Sequence, residues 1–263
     1  MDVDGSPLDG LLLDIDGVLA VSWVAIPGAV ETLAWLRDHA IPFMLITNTT
    51  THTRADLTIT LREAGFDVAE SEILTAVVAT AMHLRANHPR ARVLVISDGD
   101  ASDDLEGIDL VGPGDAADVI VIGGASDIFT YELMNHAFDQ LMNGASLVGM
   151  HRNMYWRTSR GLQLDGGAYI AALEEAAAVM ATICGKPASP FFQAALDALG
   201  IDARRAAMIG DDIVNDVIGA KATGMRGVLV RTGKFLPADL AQGGPDAVLD
   251  SIADLPAWLQ GEA

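Results

Sequence analysis

The stretch Leu11-Leu12-Leu13-Asp14-Ile15-Asp16-Gly17 decides how this chain is read. An apolar run of this length reads as a buried strand, and here it ends in two carboxylates. Desolvating a carboxylate is costly unless something pairs with it, so two at one strand end point to a held cation or to chemistry. Gly17 lets the backbone turn sharply away. Asp and Gly also simply terminate strands, so these seven residues alone leave a purely structural reading open.

Similar apolar runs recur outward from this one, at Phe43–Thr47, Val93–Ser97, Val119–Ile122, Leu147–Gly149, Ala207–Gly210 and Val228–Val230. Between several of them lie stretches with helical spacing, over Ala29–His39, Arg54–Ala64, Tyr169–Met180, Pro190–Leu199 and Ile213–Ala222. Strands alternating with helices imply an α/β fold with a mainly parallel, doubly wound sheet. The runs ending at Asp14, Thr47 and Asp211 all finish in polar residues, as expected at the active edge of an open α/β sheet. The middle of the chain has its own alternation, which implies a second α/β domain over 77–183 inserted into a core built from 1–76 and 184–263.

Composition bounds the partners. The chain has 263 residues, of which 51% are hydrophobic, enough for a sizeable core. Sixteen basic against thirty-six acidic residues give a net charge of −20, which disfavours nucleic acid and anionic membranes. No uncharged apolar run is long enough to cross a bilayer, and the acidic start Met1-Asp2-Val3-Asp4 is unlike a signal peptide. The single cysteine, Cys184, excludes an intramolecular disulfide and suits a reducing, cytoplasmic compartment. A chain this negative that handles an anion needs local positive charge, which gives weight to its three lysines, Lys186, Lys221 and Lys234.

Three further elements carry chemistry. In Phe43-Met44-Leu45-Ile46-Thr47-Asn48, the Thr47 hydroxyl and nearby backbone N–H groups fall where a strand gives way to a loop and phosphate oxygens can be held. In Met208-Ile209-Gly210-Asp211-Asp212-Ile213-Val214-Asn215-Asp216, a second strand ends in paired carboxylates, and Asp216 lies one helical turn beyond Asp212. Asp14, Asp16 and Asp211 together make an all-oxygen site that suits Mg²⁺ better than Zn²⁺. In Gly185-Lys186-Pro187 a lysine sits in a constrained loop, where its ammonium can neutralise a phosphate. Each has a bland alternative as a turn, a helix cap or a solvated residue. The dinucleotide-like Gly112-Pro113-Gly114-Asp115-Ala116-Ala117 leaves no room for the helix that would receive a pyrophosphate, and the six histidines show no zinc spacing.

Taken in order, Asp-x-Asp-Gly, Thr-Asn, Lys-Pro and Gly-Asp-Asp-x-x-x-Asp resemble the four motifs of the haloacid dehalogenase superfamily, whose members are mostly phosphatases. The match spans Asp14 to Asp216. With Ile26-Pro27-Gly28-Ala29 and the glycine pattern of Gly210–Gly224, it is closest to subfamily IIA. That subfamily includes nucleotide and pyridoxal phosphate phosphatases, and its C2-type α/β cap is inserted between the second and third motifs.

The resemblance implies a Rossmann-like core, a Mg²⁺ cofactor and a small phosphorylated metabolite as substrate. Asp14 would be the nucleophile and form an aspartyl-phosphate, with Asp16 as general acid and base. Thr47 and the Asn48 backbone would hold the phosphoryl oxygens, and Lys186 would stabilise Asp14 and the transferring group. Asp14, the Asp16 carbonyl and Asp211 would bind the metal, with Asp212 and Asp216 completing or orienting its surroundings. Family analogy also implies a homodimer. In the cap, Met150-His151-Arg152-Asn153 departs from the Thr-Asn-x-Asp of the nucleotide and pyridoxal phosphate phosphatases, and His151 and Asn153 are the residues expected to face substrate. Phosphonate hydrolysis, phosphomutation, dehalogenation, a phospho-receiver module and a non-catalytic binding protein are the alternatives.

Overall fold

The computed structural model describes residues 8–158 and 161–261. They group into two compact units. One runs to Thr47 and includes Arg54–Leu74 and the chain from Pro187 onward; the other takes Asn48–Thr53 and Thr75–Lys186.

The first unit is built on a six-stranded sheet in the order Ala247–Leu249, Arg226–Val230, Ala206–Gly210, Gly10–Asp14, Phe43–Thr47, Ile73–Thr75. Gly10–Asp14 pairs in parallel with strands on both sides, and all five of its residues are buried. A strand in that position has no solvated face, which is why it reads as an apolar run without alternation. Leu11, Leu13, Leu45 and Ile209 pack with Leu33 and Leu36 of the helix Ala29–Asp38, with Leu57 and Leu61 of Arg54–Glu63, and with Leu255. The helix Ser189–Leu199 packs against Phe43–Thr47, and its Phe192 lies beside Gly219. Parallel order brings the carboxyl ends of the strands to one edge, the place where open α/β sheets bind ligands.

The second unit has its own parallel sheet, in the order Thr182–Ile183, Ser146–Gly149, Val119–Ile122, Arg92–Ile96, Asp109–Leu110. The helices Tyr131–Met142 and Gly166–Ala177 contribute Ala137, Leu141, Ile170 and Leu173 to its core. A two-stranded hairpin, Tyr155–Thr158 with Gly161–Leu164, stands apart from that sheet. The fold is therefore a parallel-sheet, Rossmann-like α/β core with an additional cap sheet. Among the described residues no helix is long and apolar enough to cross a membrane.

Two elements differ from the sequence reading. The stretch expected as one helix over Ile213–Ala222 is a wide π-helical turn, Ile213–Ile218, followed by the short α-helix Gly219–Ala222. The expected helix at Tyr169–Met180 starts at Gly166, because Asp165 caps it there.

Candidate active site

Register fixes the heights at the core's active edge. Leu13 lies opposite Ile209 on one side and Leu45 on the other, and Asp14 lies opposite Ile46. Asp14, Thr47 and Asp211 thus arrive at the same edge, all buried. Asp14 Oδ1 accepts the Ile15 N–H at 2.8 Å. Asp16 is exposed, so its carboxyl is open to solvent.

One carboxylate oxygen each from Asp14, Asp211 and Asp216 lie within 4.8 Å of one another. The Asp211 carboxylate sits between two glycines. A Cβ on Gly17 would come within 2.0 Å of its Oδ2, and one on Gly233 within 1.9 Å, so only glycine fits at either place. Both glycines also have positive φ, +86° and +60°. Oδ2 accepts the Lys234 N–H at 2.6 Å, and the Thr232 hydroxyl donates to the Gly17 carbonyl, closing this loop over the site. Oδ1 of Asp211 is buried with no hydrogen-bond partner among the described residues.

Burial, and then the nearby charges of Asp14 and Asp216, push the Asp211 carboxyl up to about 8, with the Lys234 charge opposing them. Three buried carboxylates, one with an orphaned oxygen, form a seat whose electrostatics call for a cation. An all-oxygen donor set of this kind fits Mg²⁺.

The π-helical turn separates the roles of Asp212 and Asp216. Asp212 is the N-cap: its Oδ1 accepts the N–H groups of Val214 and Asn215, both at 3.0 Å, and its Oδ2 accepts Asn215 Nδ2 at 2.8 Å. Asp216 folds back so that its Oδ2 accepts the Asp212 N–H at 3.0 Å. The widened backbone, in which the Gly219 N–H reaches the Val214 carbonyl, is compatible with that inward turn. The sequence reading set both aspartates outside the metal's ligands. The structure groups Asp216 with Asp14 and Asp211, and leaves Asp212 as a cap 3.8 Å from Lys234 Nζ.

In the second unit Asn48 and Lys186 are bound to each other through the Asn48 amide. Asn48 Oδ1 accepts the Lys186 N–H at 2.8 Å, and Asn48 Nδ2 donates to the Lys186 carbonyl at 3.0 Å. Lys186 itself is buried. The side chain of Asn48, to which the sequence reading gave no part, is thus committed to the lysine's main chain.

At the carboxyl edge of the cap sheet, His151 is buried and its Nδ1 accepts the Asn153 N–H at 3.2 Å. Asn153 is half-buried. Arg152 points away into a salt bridge with Glu174, its Nη1 lying 3.0 Å from Oε1. Sequence reasoning gave weight to Lys234 but missed that its main chain, with Thr232 and Gly233, closes on Asp211 and Gly17; the local signal for that was Gly233.

A parallel α/β core with acidic strand ends and an added cap sheet defines a class of hydrolase, and comparison with known proteins identifies it. The family model described as haloacid dehalogenase-like hydrolase matches residues 11–111, and a HAD-hydrolase-like model matches 183–255. Haloacid dehalogenase-like hydrolase domain-containing protein 2 of Bos taurus is 38% identical over 232 residues, 88% of this chain and 87% of the relative. Phospholysine phosphohistidine inorganic pyrophosphate phosphatase of Homo sapiens is 39% identical over 251 residues, 93% of this chain and 90% of the relative. Among solved structures, p-nitrophenyl phosphatase from Archaeoglobus fulgidus superposes with a TM-score of 0.88 at 30% identity, over 97% of this chain and 100% of that one.

The chain belongs to the haloacid dehalogenase-like hydrolase family, subfamily IIA, and is an enzyme of its phosphatase class.

Proposed function

We propose that this enzyme is a Mg²⁺-dependent phosphatase of a small phosphorylated metabolite, working through an aspartyl-phosphate on Asp14. The observation that carries the reading is the buried Asp14–Asp211–Asp216 cluster with its orphaned oxygen, at the carboxyl edge of a parallel sheet. Asp14, Asp211 and Asp216 would hold Mg²⁺ through their side chains, and Asp16 through its main-chain carbonyl. When bound, the ion supplies positive charge that lets a carboxylate and a phosphate approach each other.

Asp14 attacks phosphorus and keeps the phosphoryl group, while the leaving oxygen takes a proton from Asp16. Asp16 then removes a proton from the water that hydrolyses the acyl phosphate, so the carboxyl ends as it began. Exposure of Asp16 suits a group that exchanges protons with solvent in each turnover. Thr47 and the Asn48 N–H hold the phosphoryl oxygens. The Lys186 ammonium offsets charge that builds up in transfer, and the Asn48 amide fixes the main chain from which it extends.

Substrate choice is assigned to the cap loop, through His151 and Asn153. The chain's single cysteine, Cys184, has no second thiol to pair with, which suits a reducing compartment and favours a cytoplasmic placement. Phosphate release from a panel of sugar, nucleotide, amino-acid and coenzyme phosphates, with inorganic pyrophosphate included, tests the reading. Mg²⁺-dependent release from one class of small phosphate is the expected result, and a folded enzyme that releases none contradicts it.

A further inference from the structure

Asp165 makes more contacts than a helix cap needs. It precedes the helix Gly166–Ala177, and its Oδ1 accepts the N–H of Gly166, the first residue of that helix, at 2.8 Å. The same oxygen accepts the Ala125 N–H at 3.1 Å, from the loop that follows the strand Val119–Ile122. Its second oxygen is turned to the imidazole of His151, 3.9 Å from Nε2, with side-chain exposures of 9% and 3%. The main chain of Asp165 joins in, since its N–H donates to the Met154 carbonyl at 3.0 Å. The Gly167 N–H donates to the Asn153 carbonyl at 2.9 Å, and a Cβ on Gly167 would come within 2.5 Å of that oxygen. The start of this helix is therefore fitted against the loop His151–Met154.

Those contacts favour one tautomer of the imidazole. The Asn153 N–H can only donate, so Nδ1 of His151 is the unprotonated nitrogen and the ring proton sits on Nε2. The Asp165 Oδ2 facing Nε2 at 3.9 Å lies beyond direct hydrogen-bond length, but it turns an acceptor toward the nitrogen that carries the proton in this tautomer. The helix start and the Ala125 loop account for Oδ1. The direction of Oδ2 is explained by the histidine.

We propose that Asp165 is the positioning residue of His151, holding it as the Nε2–H tautomer and thereby fixing the His151–Asn153 loop that meets the substrate. This rests on the phosphatase reading above, in which that loop faces the substrate. Asp165 touches no reacting atom in this account; it acts through the imidazole and through the Asn153 main chain bound to it.

The test uses the full chain with ¹⁵N-labelled histidine, and His151→Gln identifies the His151 signals. Ring ¹⁵N shifts then report the tautomer in the parent protein, in Asp165→Asn and in Asp165→Ser. Both substitutions leave a good N-cap, so a capping role alone predicts that neither moves the His151 signals. The positioning role predicts an Nε2–H tautomer in the parent and a mixture in both variants. It also predicts that KM for p-nitrophenyl phosphate rises roughly 5- to 20-fold, with kcat within about twofold. An unchanged tautomer in both variants overturns the proposal, as does a lost tautomer with KM unmoved. Absence of turnover in the parent overturns the phosphatase reading instead, and the tautomer measurement still decides the positioning role.

Discussion

Asn48 and Lys186 stand 138 residues apart in the chain and are joined by two hydrogen bonds, one in each direction, between the Asn48 amide and the Lys186 main chain. The amide acts as a strand partner for a single residue, satisfying both a donor and an acceptor. Asn48 of the one motif and Lys186 of the other are thereby tied together within a single compact unit.

Asn48→Ala removes both bonds and leaves a part-buried main-chain donor and acceptor without their partner. Stability should fall by about 1–3 kcal/mol in denaturant titration. Turnover should fall roughly tenfold or more, because the Lys186 ammonium is no longer held in register. Stability loss without any loss of kcat would separate the clamp from catalysis.

Asp216→Asn and Asp212→Ser should behave differently although the residues are four apart. The first removes a charge from the Asp14–Asp211–Asp216 cluster, and Mg²⁺ affinity should drop roughly 10- to 100-fold. The second keeps an N-cap acceptor, so stability should change by less than about 1 kcal/mol and Mg²⁺ affinity only slightly. Mg²⁺ titration of activity and of melting temperature reads both.

Gly17→Ala places a methyl where the Asp211 carboxylate lies, at a backbone φ of +86°. The carboxylate must shift, so the half-saturating Mg²⁺ concentration should rise at least roughly tenfold even if the protein still folds. Wild-type Mg²⁺ dependence in the variant would show that this glycine is dispensable to the site.

The raised Asp211 carboxyl makes stability and metal binding depend on pH in opposite senses. Its ordinary value is 3.8, and in the folded protein it is about 8, so the metal-free fold binds this proton more tightly than the unfolded chain does. The stability this contributes is complete below about pH 4 and is lost as pH rises through about 8. Mg²⁺ needs the ionised form, so the melting-temperature gain from Mg²⁺ should grow from about pH 6 to about pH 9. A gain that is flat over that range would contradict the assignment.

Much of this was legible because parallel strands bury both faces. Apolar runs at Leu11–Leu13, Phe43–Ile46 and Ala206–Gly210 are each followed by a polar residue, so strand ends and candidate ligands are read together. Three-residue edge strands such as Ile73–Thr75 and Ala247–Leu249 are too short to carry a periodic signal. The separation of Asp212 from Asp216 was hidden because four-residue spacing means a shared face only on an α-helix, and here the backbone winds wider. The Asn48–Lys186 clamp and the Asp165–His151 pairing join residues distant in the chain, so no local pattern announces them. Composition did show where positive charge is scarce, but not that a main-chain clamp would hold one lysine.

The central claim is that Asp14 is a nucleophile whose chemistry needs Mg²⁺. The most direct measurement is phosphate release from p-nitrophenyl phosphate by the wild-type enzyme and by Asp14→Asn, each with Mg²⁺ and with EDTA. The account predicts turnover only for the wild type with Mg²⁺, and a folded variant at least about 10³-fold slower. Comparable turnover in Asp14→Asn, or in the wild type with EDTA, would contradict it.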